Sequence, residues 1–328
     1  MIKKHAILQQ GIYKIRFHAI FYNKHFQQKK YKEAQKMALV SLKEILADAK
    51  KRNYAVPMFD VTNVEMMRQV IRTAEDLRAP VMFGAIPSDV AGDSLDYWCD
   101  GAFRAALSAK VPVCIHLDHA ANLEQIIRCA DKGFSGVMID ASIQSFEKNV
   151  EITKEVCEAM HRRGISVEAE LGHVATGKIG YGGAVESGAH ADSEPIFTDP
   201  AEAAKFVELT GADALAVSIG TAHGVYDTAP ELQIGRLAEI RKVCDVPLVL
   251  HGGSGTPDDQ ISEAVANGIC KINIYSELCI AWNTAIRDML NTQTTMSCWV
   301  CKGLNAGMEA MIPVLERKIR LFKADGKA

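Results

Sequence analysis

The 328-residue sequence has no apolar run of the roughly 18 residues a helix needs to cross a bilayer, so no membrane span is expected. It also lacks an excess of either charge. Lys and Arg number 37 against 40 Asp and Glu, for a net charge of −3, which is too balanced for a dedicated nucleic-acid binder. Aromatic residues are scarce at 7%, yet a 48% hydrophobic content excludes a wholly disordered chain. Paired cysteine motifs are missing as well. The nine cysteines are odd in number, scattered and mostly set in apolar stretches, as expected of reduced thiols in a cytoplasmic protein. Only Cys298-Trp-Val-Cys301 has a metal-like spacing, and a structural zinc site would want a second such pair. A helical reading of that segment is simpler.

What is present is unevenly distributed. Residues 1–36 hold eight Lys, Arg16 and a single acid, Glu33, a net of +8 that leaves −11 for the remainder. This basic N-terminal extension has no compact apolar core and almost no Ser, so it reads neither as a secretory signal nor as a transit peptide. Disorder is expected there. Lys32-Glu33-Ala34 can be encoded by a purine-rich ribosome-binding sequence just before the ATG of Met37, so the natural product is expected to start at Met37. Residues 37–328 are then one domain.

From Ser41 onward, short β-branched runs alternate with amphipathic stretches. The runs are Val56–Phe59, Pro80–Phe83, Val113–Leu117, Gly136–Ile139, Ser166–Glu170, Ala214–Ser218, Pro247–Leu250 and Cys270–Ile274. Between the first two, Val64, Met67, Val70, Ile71, Ala74 and Leu77 form a helical stripe. Eight strand–helix units with right-handed crossovers point to a closed α/β fold, the (β/α)8 TIM barrel. A doubly wound sheet would carry its glycine loop after the first strand, where Asp60-Val61-Thr62-Asn63 has no glycine.

In such a barrel the chemistry gathers where strands end. The third strand ends in His116-Leu117-Asp118-His119 and the fifth in Glu168-Ala169-Glu170-Leu171-Gly172. The sixth runs into Gly220-Thr221-Ala222-His223-Gly224, and the seventh into His251-Gly252-Gly253-Ser254-Gly255. His119, His223 and His251 thus converge on one rim, a three-imidazole set suited to a catalytic Zn2+ with an open position. His116 lies deeper in its strand and reads as a core residue, while His161 and His190 read as surface or loop histidines. No His-Glu-x-x-His occurs, so a zincin is excluded. The glycines at 252, 253 and 255 lead into Thr256-Pro257, read as a helix N-cap with Pro at the first helical position, an arrangement that suits a phosphate. Ser276 is expected to cap the helix after the eighth strand and add a donor.

A metal beside a phosphate cradle suits a phosphorylated ligand whose carbonyl is polarised by the ion, with Asp118 as the proton shuttle. A Schiff-base mechanism needs a lysine in the barrel. The sixth strand has none, and Lys271 is expected at the opening end of the eighth strand, away from the rim.

The ordered set His-Leu-Asp-His, Glu-Ala-Glu-Leu-Gly, Ile-Gly-Thr-Ala-His-Gly-Val-Tyr, Leu-His-Gly-Gly-Ser-Gly and Lys-Ile-Asn-Ile-Tyr-Ser-Glu resembles the class II zinc-dependent ketose-bisphosphate aldolases from about Met37 to Ala328. The resemblance implies reversible cleavage of a ketose 1,6-bisphosphate, foremost fructose 1,6-bisphosphate, to dihydroxyacetone phosphate and an aldehyde phosphate. It makes Asp118 the proton donor and His119, His223 and His251 the zinc ligands, with Glu170 as an alternate or outer ligand. Gly224, Gly252, Gly253, Ser254, Asn273, Ile274, Tyr275 and Ser276 would hold the phosphate. A second metal site, a monovalent cation near the phosphate, and a homodimer or homotetramer are further implications, with Arg287 a candidate for the second phosphate.

Two residues depart from the family pattern. Asp60 stands where relatives carry Asn, and Tyr275 where fructose-type enzymes have Asp and tagatose-type enzymes Ala. Tagatose bisphosphate and a deoxy-keto-gluconate phosphate therefore stay open as substrates. The loop from Gly172 to Pro195 is expected to act as a lid, offering Glu186, Asp192 and Glu194 for C–H proton abstraction. A metal-dependent hydrolase would want His-x-His on the first strand, which Phe59-Asp60-Val61 lacks, and a non-catalytic sugar-phosphate binder would not need Asp118.

Overall fold

The computed structural model describes residues 38–176, 196–224, 226 and 228–328. The basic extension, His190 and the lid acids Glu186, Asp192 and Glu194 lie outside the described residues. Within them the chain runs α1 (Leu42–Arg52), β1 (Val56–Asp60), α2 (Val64–Leu77), β2 (Val81–Ala85), α3 (Ser94–Ser108), β3 (Val113–Ala120), α4 (Leu123–Asp131) and β4 (Gly136–Ile139). It continues as α5 (Phe146–His161), β5 (Ser166–Leu171), β6 (Ala175–Thr176), α6 (Pro200–Thr210), β7 (Ala214–Val217), β8 (Ala222–His223), α7 (Ile234–Val243) and β9 (Leu248–Leu250). The last elements are α8 (Asp258–Ala266), β10 (Ile269–Ile274), α9 (Ser276–Asn291) and α10 (Val300–Leu321).

Eight of these strands close a parallel barrel in the order β1-β10-β9-β7-β5-β4-β3-β2, so the structure is a TIM barrel. Each barrel strand matches one of the eight apolar runs. They are buried along their whole length because one face fills the barrel while the other packs under helices. The short strands β6 and β8 pair with each other above the rim and deliver His223 toward the centre.

Local chemistry sets the helix starts. The Ser41 side chain and Glu44 form a reciprocal capping box on α1. Asn63 accepts from the Met66 N–H at the start of α2, and Asp199 caps α6 ahead of Pro200. Two expected caps are not formed. Thr256 turns its hydroxyl to the Gly252 carbonyl, 2.9 Å away, and leaves Pro257 at the head of α8 without a side-chain cap. Ser276 is the first residue inside α9, with Tyr275 at the cap position. At Thr256 the loop's own carbonyl takes the hydroxyl.

Helix α1 closes the amino-terminal end of the barrel. The backbone just before it bonds to the first residue of β3, and the Leu42 N–H donates to the Ser135 carbonyl ahead of β4. Leu42, Leu46 and Ala49 have no solvent exposure. At the opposite end of the chain, α10 packs on α9 so tightly that a Cβ on Gly307 would sit 2.6 Å from the Trp282 ring. Its last turn then passes behind the loop that follows β9.

Truncating the plug should open a cavity under the barrel without touching the rim. Leu46→Ala is expected to cost about 2–5 kcal/mol in denaturant unfolding, with the KM for substrate left unchanged.

Candidate active site

Strand β3 delivers the first imidazole. Its pairing with β4 shifts register between Leu117 and Ala120, and His119 adopts φ +45°. A non-glycine residue holds this left-handed backbone only where its surroundings enforce it. Here the enforcing contact is Asp140, just beyond β4, whose Oδ2 lies 2.9 Å from His119 Nδ1. The carboxylate holds Nδ1 and leaves Nε2 buried with no partner.

His251, immediately after β9, is held in the opposite sense. Its Nε2 lies 2.9 Å from Glu168 Oε1, so Nδ1 is the nitrogen left without a hydrogen bond. His223 has no partner at either ring nitrogen. The ring centroids are 4.7 Å apart for His119 and His223, 4.6 Å for His119 and His251, and 5.7 Å for His223 and His251. One nitrogen from each lies within 4.8 Å of the others.

Glu170 adjoins this group, its Oε2 3.4 Å from His251 Nδ1, while its Oε1 accepts from the Val174 N–H. Burial, followed by the charge of Asp140, pushes its carboxyl up to about 8. Burial and the neighbouring imidazoles hold His223 and His251 well below the ordinary histidine range. Burial opposes charge on His119 too, but Asp118 and Asp140 outweigh it and carry the group up to about 10. Two neutral imidazoles and a third braced by a carboxylate make a donor set that fits a divalent ion.

Asp118 is buried beside them. Its Oδ2 accepts from Asn273 Nδ2 at 3.0 Å and lies 3.7 Å from His119 Nε2. Lys271 is not away from the rim as expected. The side chain is fully buried in the barrel, its ammonium 2.9 Å from each Glu168 oxygen and 4.0 Å from Asp118 Oδ1. Lysine is long enough to reach the upper layer from the third residue of β10. His116, Asp118 and Glu168 could also form a ligand set, but the Lys271 cation already sits against it, which argues against a second metal there.

The pocket above these groups is lined by Gly224, Gly252, Ser254 and Ser276 together with Asp60, Ile86, Asn273 and Tyr275. Gly252 has φ +67°, and a Cβ there would meet the Ala222 carbonyl oxygen at 2.4 Å, so only glycine lets the two rim segments approach. Gly253 and Ile274 lie just behind the lining: the Gly253 N–H donates to the Asn273 carbonyl, and Ile274 is fully buried. Arg287 pairs with Asp288 on the exposed face of α9 and does not line this pocket. His161 bonds Asp213 at the surface, and all nine cysteines are free.

The sequence reading gave Glu168 and Asp140 no role and misplaced Lys271. Glu168 shares a strand face with Glu170, two residues on, and that period was the available signal. Asp140 is the polar residue following the fourth strand.

The family model for class II fructose-bisphosphate aldolases matches residues 40–327. The crystal structure of the YdjI aldolase from Escherichia coli K12 is 35% identical in sequence, covers 88% of this chain and 99% of its own, and superposes with a TM-score of 0.76. A fructose-bisphosphate aldolase from Campylobacter jejuni, at 24% identity, covers 89% of this chain and 97% of its own with a TM-score of 0.72, a likeness of fold alone. No helix among the described residues is long and apolar enough to cross a membrane. With the family match spanning nearly the whole barrel and its ligand-competent histidines, the chain belongs to the class II fructose-bisphosphate aldolases, a family of metal-dependent lyases.

Proposed function

We propose that this lyase cleaves a phosphorylated ketose to dihydroxyacetone phosphate and an aldehyde, with fructose 1,6-bisphosphate, a glycolytic intermediate, as leading substrate and Zn2+ as metal. The carrying observation is the set of partnerless nitrogens on His119, His223 and His251 beside the glycine-lined wall of the pocket. Glu170 stands by as an outer or alternate ligand. When bound there, zinc supplies Lewis-acid polarisation of the substrate carbonyl.

The chain's own residues do the rest. Gly224, Gly252, Ser254 and Ser276 receive the phosphate, with Gly253 and Ile274 shaping the backbone behind them and a monovalent cation beside it. Asp118 takes the proton from the substrate hydroxyl as the C–C bond breaks and returns it in the condensation direction. The Asn273 amide, bonded to one Asp118 oxygen, keeps the carboxyl aimed at that hydroxyl. The C–H proton on the enediolate side falls to Glu186, Asp192 or Glu194. We assign the protein to the cytoplasm, as free thiols suit, and to a homodimer or homotetramer, in which a neighbouring subunit can lend an arginine.

A specific observation favours a second reading of the substrate's far end. Asp60 and Tyr275 line the same pocket as the glycines. Burial, then the nearby Asp118 and Asp89, pushes the Asp60 carboxyl well above the usual range, and its Oδ1 is buried without a partner. A carboxyl that resists ionisation suits a far end carrying only hydroxyls better than an anionic one, whether the second phosphate of fructose or tagatose bisphosphate or the carboxylate of a deoxy-keto-gluconate phosphate.

Three outcomes follow. Cleavage assayed on a panel of ketose phosphates should stop with a chelator and return with Zn2+, and no borohydride-trapped adduct should form; activity that survives chelation sinks the metal reading. Asp118→Ala should keep its bound zinc by elemental analysis yet lose about 10²–10⁴-fold in turnover. Asp60→Asn should raise the kcat/KM ratio for fructose 1,6-bisphosphate over fructose 1-phosphate by about tenfold, and an unchanged ratio removes Asp60 from substrate selection.

A further inference from the structure

One buried cation outside the metal centre has no part in the chemistry above. Lys318, in the last turn of α10, has no solvent exposure, and its ammonium lies 2.7 Å from Glu277 Oε1 and 3.3 Å from the Gly253 carbonyl oxygen. A fully buried lysine is costly unless its charge is matched.

The match is specific in where it grips. Glu277 Oε1 also accepts from the Gly255 N–H at 2.7 Å. The Lys318–Glu277 pair therefore holds the carbonyl before Ser254 and the amide after it, the two peptide groups flanking that residue. Ser254 Oγ in turn accepts from the Tyr275 N–H at 3.2 Å and the Glu277 N–H at 3.4 Å, which ties the loop to the head of α9. On the solvent side, Arg317 bonds Glu277 Oε2 at 2.5 Å and Asp258, the first residue of α8, at 2.7 Å. Helices α8, α9 and α10 thus meet at one charged node directly behind the glycine loop.

We propose that Lys318 and Glu277 are positioning residues for the substrate's phosphate. The pair clamps the peptide groups on either side of Ser254, so that the loop and the amino-terminal end of α9 stay aimed into the pocket. The clamp acts on binding of the phosphorylated substrate rather than on bond breaking. The inference rests on the glycine loop being the phosphate cradle.

The test uses the zinc-loaded full chain, with inorganic phosphate as probe. Direct titration and competitive inhibition are measured for wild type, Lys318→Met and Glu277→Gln, alongside kcat and KM. Lys318→Met should weaken phosphate binding and raise KM by about tenfold, the loss expected for one charge-assisted contact, while kcat falls far less. Glu277→Gln keeps an acceptor for Gly255 but not the charge, so it should show a smaller shift in the same direction. It also serves if Lys318→Met fails to fold. Variants that bind phosphate as wild type does, or that lose only thermal stability, overturn the clamp alone. A wild type indifferent to phosphate overturns the cradle reading and the clamp with it.

Discussion

Ring nitrogens without partners, enclosed at the top of a closed barrel, are the constraint on which this structure turns. An unpaired buried polar atom costs about 1–3 kcal/mol, and His119, His223 and His251 gather several of them within 4.8 Å. A fold does not gather such atoms for its own stability. The surroundings increase the commitment, since His119 is held in a left-handed backbone and two of the three rings have their other nitrogen taken by a carboxylate. Asp140 and Glu168 settle which nitrogen of each ring remains free, and so the direction from which a cation can be met.

The layer beneath gives this arrangement its rigidity. Lys271 and Glu168 form an ion pair with no exposure on either side chain, in contact with His251 and close to Asp118. Breaking a buried pair by removing one partner leaves an uncompensated charge, a loss of about 3–5 kcal/mol. The pair therefore resists any drift of the rings above it. The same pairing bears on mechanism. An amine engaged with both oxygens of Glu168 is not presented to a substrate carbonyl, so its place inside the barrel does not make it a Schiff-base residue.

The barrel was legible in the sequence because a strand buried on both faces must be apolar throughout, and eight such runs separated by amphipathic stretches admit little else. The rim was legible for a related reason. His119, His223, His251 and Asp118 interrupt apolar runs where strands end, and a polar residue there wants an explanation. What stayed hidden depends on reach and pairing in three dimensions. Lys271 sits early in its strand, and only the length of its side chain, with Glu168 waiting across the barrel, carries the charge upward. Thr256 and Ser276 looked like caps because their spacing was right, yet whether a hydroxyl caps a helix depends on which carbonyl or amide the loop offers first. Lys318 lies 65 residues from the glycine it touches, a separation at which no local pattern can signal contact.

These placements divide the pocket between two supports. The imidazoles are braced from within the barrel by Glu168 and Asp140, carried on or just after strands β5 and β4. The glycine loop is braced from outside by α9 and α10, through Glu277 and Lys318. Asn273 lies at the seam: its side chain holds Asp118, and its carbonyl accepts from the Gly253 N–H. A displacement of the loop is therefore felt at Asp118 through one residue of β10. On the function proposed above, anion binding and proton transfer are separable in their supports but joined at that strand, so that a phosphate seated in the loop would also fix the geometry in which Asp118 meets the hydroxyl.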